Sequence, residues 1–161
     1  MLYLEAMDDP LAEESLIIQE DILNSDQYFL HHAEGKLVLT REQIINEIFE
    51  NSVLGASFYY IKQAEDCIGL IYYILGNPYD RYCWLSLFII HKNYQKSGTG
   101  YKSYQLFEEK LRQMQSIDKI RLCAQVQNKR GNLFWERNGY NKIALSRDKK
   151  HFLINIYEKS L

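Results

Sequence analysis

The sequence predicts an α/β fold of the α+β kind. We expect a mixed, mostly antiparallel sheet of six to seven strands flanked by about four helices, in one domain over residues 1–161. Three observations predict it. Short apolar runs rich in β-branched and aromatic residues alternate with segments of helical periodicity, in the order strand, two helices, three strands, helix, strand, helix, two strands. The consecutive strands are separated only by the turn-like stretches Gln63–Asp66, Gly76–Asp80 and Asp148–Lys150, which close hairpins and force antiparallel pairing. A chain of 161 residues that is 47% apolar is large enough for a real core and small enough for one domain.

Each element has a local reason. Met1–Met7 alternates weakly and forms a first strand. Asp9-Pro10 starts the first helix, with Glu13 and Glu14 near the positive end of its dipole and Leu11, Ile18 and Ile22 on its apolar side. Asn24-Ser25-Asp26 breaks it, and Gln27–Gly35 reads as a loop or short irregular helix. Thr40 and Gln43 spell a capping box, with Leu39 and Ile44 as its hydrophobic staple. Ile44, Ile48 and Phe49 then form an inner face that ends at Glu50-Asn51-Ser52. Val53–Lys62 and Cys67–Leu75 make a hairpin, and Gly76–Asp80 turns the chain into the strand Cys83–His91. After the turn Lys92–Gly100 comes a helix with Tyr101, Tyr104, Phe107, Leu111 and Met114 at steps of three and four. Ile117–Gln127 is a strand carried by Ile120, Leu122 and Val126. Asn128 caps a short helix that Gly139 stops, and Lys142–Arg147 with His151–Tyr157 closes the domain.

Composition narrows the function. No apolar run is long enough to cross a membrane, and the N-terminus lacks the basic and apolar regions of a signal peptide, so a cytoplasmic location is expected. Cys67, Cys83 and Cys123 all fall in strand-like runs and are expected to be reduced and packed as small apolar residues. Their spacing fits no zinc pattern, and the adjacent His31 and His32 lack a further ligand, so no metal is expected. The net charge of -2 conceals a division: residues 1–80 carry 15 acids and 3 bases, residues 81–161 carry 6 acids and 16 bases. A polyanionic ligand suits the second half and a cationic amine the first. The bases are scattered and not interleaved with stacking aromatics, which argues against a nucleic-acid partner.

Gly98 and Gly100 stand between a buried strand and a helix N-terminus, where free backbone N–H groups and the helix dipole favour phosphate. Two phosphate motifs fail on spelling. The nucleotide-hydrolase loop needs glycine before Lys102-Ser103, where Tyr101 stands, and the dinucleotide fingerprint needs glycine at Ser103. Gln95-x-x-Gly98-x-Gly100 instead resembles the Gln/Arg-x-x-Gly-x-Gly/Ala loop of the GNAT acyltransferase superfamily. Asn128-x-x-Gly131-x-x-Phe134-Trp135-x-x-x-Gly139-Tyr140 is similar to that family's Asn-x-x-Ala-x-x-Phe-Tyr-x-x-x-Gly-Phe motif. The element order agrees, and the resemblance covers about residues 53–145.

The resemblance implies an N-acetyltransferase that uses acetyl-CoA and a primary amine, with a small-molecule or peptide acceptor. It implies that the strands Cys83–His91 and Lys119–Gln127 splay apart, with the pantetheine arm lying in the gap along Phe88, Ile89 and Ile90. The Ile90 amide would hold the oxyanion, and Gln95, Lys96, Ser97, Gly98, Thr99, Gly100 and Tyr101 the diphosphate. Asn128 would reach the arm, and Lys96, Lys129 and Arg130 are bases placed to meet phosphates. Trp135 borders the site where the family commonly has tyrosine as general acid, and an indole N–H is far too weak an acid to replace it. Tyr140, Tyr101 and Tyr94 are alternative acids. The base is open: the central strand offers only Ser86 and His91, and Asp80 or Glu34 would act through water. A non-catalytic acyl-CoA-binding or interaction domain is the second reading. The edge of the C-terminal hairpin is where another subunit would pair to give a homodimer.

Overall fold

The computed structural model describes residues 1–161. Alternating apolar residues pair β1 (Leu2–Ala6) with β2 (Ser57–Gln63), β2 with β3 (Asp66–Ile74), and β3 with β4 (Cys83–Ile90), all antiparallel. β5 (Lys119–Gln125) continues the sheet, followed by β7 (Leu153–Ser160) and the edge strand β6 (Asn141–Arg147), again antiparallel. β4 and β5 form the one parallel pair. It holds only at Cys83↔Ile120 and Trp84↔Arg121, after which the strands part. By contrast β4 stays paired with β3 up to Gly69↔Ile90, with one register shift, between Tyr73↔Leu85 and Tyr72↔Leu87, that leaves Ser86 without a partner. The seven-stranded sheet is therefore open at its middle.

Helices cover both faces. α1 (Glu13–Leu23), the short α2 (Gln27–Phe29) that runs into a π turn over Leu30–Glu34, and α3 (Arg41–Val53) lie on one side. There Ile22, Leu30, Ile44 and Ile48 pack against Leu70, Tyr72 and Ile89. α4 (Thr99–Gln113) and α5 (Lys129–Arg137) lie on the other, where Tyr104, Phe107 and Leu111 pack with Ile71, Ile120, Leu122 and Trp135. Each large side chain that is fully buried stabilises the fold by about 1.5–3 kcal/mol. Glu108, buried on α4 beside them, is satisfied: it accepts from the Tyr104 hydroxyl at 3.1 Å and pairs with Arg112 and Lys159.

Several boundaries differ from expectation. α1 starts at Glu13, because Asp9 Oδ1 accepts from the Leu11 amide at 2.9 Å and makes Asp9-Pro10 a turn before the helix. Leu11 is consequently exposed, and Leu16, Ile22 and Leu23 are the buried side. The capping box at Thr40 and Gln43 forms as read, but Phe49 points to solvent and Asn51, one helical turn beyond Ile48, takes the inner position. α3 runs on to Val53, so β2 begins at Ser57. Tyr101 and Val126 are exposed, the first on the solvent side of α4 and the second just past the end of β5. β7 begins at Leu153 rather than His151 and extends to Ser160. Cys83 is buried as expected, yet Cys123 is exposed, because on β5 it faces opposite to the packed Leu122 and Ala124.

Candidate active site

The parting of β4 and β5 creates a cleft of about 730 Å³. Its walls include Leu85–Ile90 of β4 and Leu122–Gln125 of β5, with Phe134 and Trp135 of α5 and Asp26, Tyr28, Phe29, Ala33 and Glu34 from the segment around α2. The His91 amide donates to the Ile68 carbonyl on β3 at 2.7 Å. Alternation along the strand then turns the amides of Phe88 and Ile90 the other way, into the gap. Phe88 stacks on Phe134 with centroids 5.8 Å apart and meets the edge of Trp135 at 5.7 Å, so the α5 side of the cleft is an aromatic wall.

One end of the cleft meets the N-terminus of α4. Lys96 at φ +78° and Gly98 at φ +75° bend the chain into the helix, and the backbone N–H groups of Gly98, Thr99, Gly100 and Tyr101 make no capping or intrahelical bond. Left-handed geometry is natural for Gly98 but costs Lys96 on the order of 1 kcal/mol, strain held where the anion cradle forms. A Cβ at Gly100 would meet only Phe134 at 3.5 Å and Ile90 at 4.0 Å, so packing does not demand glycine there. Ser97 Oγ and Thr99 Oγ1 bond each other at 3.0 Å. The free amides at the start of α4, the length of the cleft and its inward amides suit an elongated ligand with an anionic end.

The Gln95 amide nitrogen donates to the Ile90 carbonyl at 2.9 Å and to Asp26 Oδ2 at 3.0 Å. Asp26 has a side chain only 2% exposed, caps α2 through the Tyr28 amide, and pairs with Arg130, whose guanidinium lies 4.2 Å from the Tyr28 ring centre. Burial alone would raise the Asp26 carboxyl, but bonds from Gln95 and Arg130 hold it below the usual range. One carboxylate thus ties the glycine loop, α5 and the α2 segment together at the mouth of the cleft.

A model of the acetyltransferase (GNAT) family matches residues 15–140 of the chain. The chain belongs to the GNAT acetyltransferase family. Members are acetyl-CoA-dependent acyltransferases. No curated protein matches the sequence itself. Solved structures share the fold at low identity. An acetyltransferase from Thermus thermophilus is 16% identical with a TM-score of 0.79, covering 100% of this chain and 97% of that one. The Salmonella typhimurium acetyltransferase that modifies the N-terminal serine of ribosomal protein L7/L12 is 15% identical with a TM-score of 0.77, covering 99% and 95%. The Vibrio cholerae spermidine N-acetyltransferase, in complex with CoA and spermine, is 14% identical with a TM-score of 0.72, covering 99% and 95%.

Within this GNAT chain, Phe88, Ile89, Ile90, Gln95, Lys96, Gly98, Gly100, Tyr101, Asn128 and Trp135 all line the cleft. Asn128 Oδ1 accepts from the Gly131 amide at 3.0 Å to cap α5, leaving its side-chain nitrogen as a donor. Neither proposed catalytic candidate borders the space. His91 turns away, with Nδ1 accepting from the Asn93 amide at 3.1 Å and Nε2 3.3 Å from Asp21. The Tyr140 hydroxyl is buried 2.7 Å from that of Tyr104, and burial pushes it up, away from use as an acid. Tyr94 reaches Asp66 instead, and Asp80 is held by the Trp84 indole. The His31 and His32 rings meet edge to face with centroids 4.6 Å apart, outside the cleft.

Glu34 is different. It lines the cleft from the end of the π turn, and burial together with neighbouring Glu47 raises its carboxyl above the usual range. Cys123 also opens onto the cleft, but desolvation raises its thiol, so it is no ready nucleophile. Asp26 and Glu47 are the site residues that sequence reasoning missed. Asp26 signalled itself only as a helix-breaking polar residue, and nothing local announces a partner at Gln95.

Proposed function

We propose that this protein transfers an acetyl group from acetyl-CoA to a primary amine, by direct attack with both reactants held in one complex. The observation that carries the reading is the open gap between β4 and β5, with inward amides at Phe88 and Ile90 and unsatisfied amides of Gly98–Tyr101 at its end. Acetyl-CoA, when bound, supplies a thioester carbonyl and a thiolate that can leave. The Gly98–Tyr101 amides and the half-exposed Arg130 would hold its phosphates. The Ile90 amide would meet charge developing on the carbonyl oxygen. Glu34 would take one proton from the acceptor ammonium, directly or through one water, freeing the lone pair that attacks, which its raised carboxyl suits. The new bond is carbon–nitrogen and the broken one carbon–sulfur; as the adduct collapses the nitrogen gives its second proton to water, and the released thiolate takes one from water. Trp135 shapes the wall and can donate a hydrogen bond but no proton. A cytoplasmic setting fits the three unpaired cysteines, and two copies, where they associate, would meet along the exposed strand β6.

Trp135 favours one second reading, an acyl-CoA-binding domain without turnover. Calorimetry with acetyl-CoA and CoA, followed by an amine panel, separates the two. Micromolar binding that weakens at least tenfold in Gly100→Leu, with little change in melting temperature, is expected. Binding with no acetylation of any amine would favour the second reading. Equal loss of affinity and stability in Gly100→Leu would make the glycine a purely structural turn, and no binding at high micromolar concentration would sink the assignment.

A further inference from the structure

One residue of β4 escapes the alternation of the strand. Leu85, Phe88 and Ile90 pack with the core beneath α4 and α5, and Leu87 and Ile89 with the core beneath α1 and α3. Regular alternation would turn Ser86 to one face and Leu87 to the other. Instead the register shift between Tyr73↔Leu85 and Tyr72↔Leu87 leaves Ser86 as an extra residue, and its side chain joins that of Leu87 on the α3 side, where the hydroxyl bonds Asn51. Ser86 is exposed to solvent. It lines both the cleft and a side cavity of about 250 Å³ bordered by α3, so it stands where the two spaces meet.

The direction of its hydroxyl is fixed by elimination. Asn51 is only 6% exposed, and its side-chain nitrogen donates to the Glu47 carbonyl at 2.8 Å. A carbonyl can only accept, so the amide cannot flip and Asn51 Oδ1 must face Ser86. That oxygen in turn can only accept, so the Ser86 proton lies in the 2.5 Å bond between them. Ser86 Oγ makes no other bond to the protein, and its lone pairs face open space as a preset hydrogen-bond acceptor. A ligand O–H or N–H is met there, whereas an ether oxygen would set lone pair against lone pair. Ser86 stands four residues before Ile90, roughly 13 Å along the strand. A nitrogen attacking a carbonyl held at Ile90 cannot also reach it, so the group it takes is a second donor on the acceptor.

Resting on the acetyltransferase reading above, we propose that Ser86 selects the acceptor, an elongated primary amine that carries an O–H or N–H donor remote from the reacting nitrogen. Asn51 is the positioning residue, acting through the hydroxyl it holds.

Amino alcohols of rising chain length, up to a reach of roughly 13 Å, are compared with their O-methyl ethers, which keep the oxygen and lose the donor. Binding is read by ligand-observed NMR without acetyl-CoA, acetylation by release of CoA, and acetyl-CoA affinity by calorimetry. At the best chain length the alcohol should show a KM about tenfold lower than its ether, with similar kcat. Ser86→Ala should bring that ratio toward one by raising KM for the alcohol, with acetyl-CoA affinity unchanged. Asn51→Leu should lower it by the opposite route, improving the ether, because a freed hydroxyl can turn and donate to it. A mere loss of packing would not improve either substrate. Equal use of alcohol and ether at every length overturns the proposal, as does a preference that survives Ser86→Ala. A protein that binds acetyl-CoA yet neither binds nor acetylates any amino alcohol also overturns it and leaves the cofactor assignment standing. A binding preference for the alcohol that is lost in Ser86→Ala, in a protein that binds no acetyl-CoA, supports the selection and sinks the cofactor assignment.

Discussion

Glu34 carries opposite consequences for stability and activity, which makes it the most informative single residue. Burial and the neighbouring Glu47 raise its carboxyl, so the folded state prefers the protonated form. The sign follows from linkage: its contribution to stability is full below the ordinary carboxylate pKa and is lost as pH rises through the raised value. At pH 7, where the unfolded chain's carboxyl is ionised, its burial therefore counts against the fold. Glu34→Gln should therefore raise the melting temperature at pH 7 and leave it nearly unchanged at pH 4. The same change should lower kcat/KM with an amine acceptor by about 10²–10⁴-fold and remove the rise in rate that accompanies ionisation of the base. Thermal melts at the two pH values and a pH–rate profile check both halves, and a lower melting temperature with unchanged rate would exclude the base role. Glu34 was visible in the sequence only as one acid in an acidic half, since its environment is made by α3 and by Lys36 and Lys150 near it in space. Trp135 was legible because it sits inside a motif whose spacing fixes its place. His91 and Tyr140 misled for the complementary reason: the residue type suits proton transfer, but neither side chain lines the cleft.

Among the elements, the glycine loop depends on a contact far away in the chain. Asp26 holds Gln95, which in turn holds the Ile90 carbonyl, and it pairs with Arg130 at the start of α5. Asp26→Asn should cost about 2 kcal/mol at neutral pH, the scale of a lost charge-assisted hydrogen bond. Because the Asp26 carboxyl is held low, its contribution is present above the unfolded pKa and lost as pH falls through the folded one. The variant and the parent should consequently converge in stability under acid, which urea melts at pH 7 and pH 3 would reveal. Acetyl-CoA affinity should fall as well, since Gln95 and Arg130 both flank the cradle. Elements whose ends are fixed by side chains next to them were readable: the Thr40–Gln43 capping box and the Asn128 cap both form as spelled. The start of α1 and the π turn were not, because an Asp9 turn and packing against distant strands decide them.

At the scale of the whole molecule, the open sheet is the feature from which the chemistry follows. The order of elements could be read from periodicity, and that the strands of β4 and β5 splay apart was implied by the family resemblance. The point at which that pair parts could not be read, because nothing in the spelling of β4 announces the register shift at Ser86, just past the last pair Trp84↔Arg121. The rings of Phe88, Phe134 and Trp135 occupy the α5 side of the gap, and Asp26 bridges its mouth from the other face. This arrangement has a signature that does not depend on knowing the acceptor. The amides of Ile89 and His91 face β3, and His91 donates to Ile68 at 2.7 Å, whereas those of Phe88 and Ile90 face the gap. Hydrogen exchange in the free protein should thus alternate along one strand, slow at Ile89 and His91 and fast at Phe88 and Ile90. Acetyl-CoA lying along β4 as an added strand would slow Phe88 and Ile90 while leaving their neighbours nearly unchanged. At about a hundredfold excess over Kd it should also add about 2.7 kcal/mol of global stability. Uniform protection before ligand addition would mean that β4 and β5 close in solution, and unchanged exchange at Phe88 and Ile90 on binding would place the ligand elsewhere on the fold.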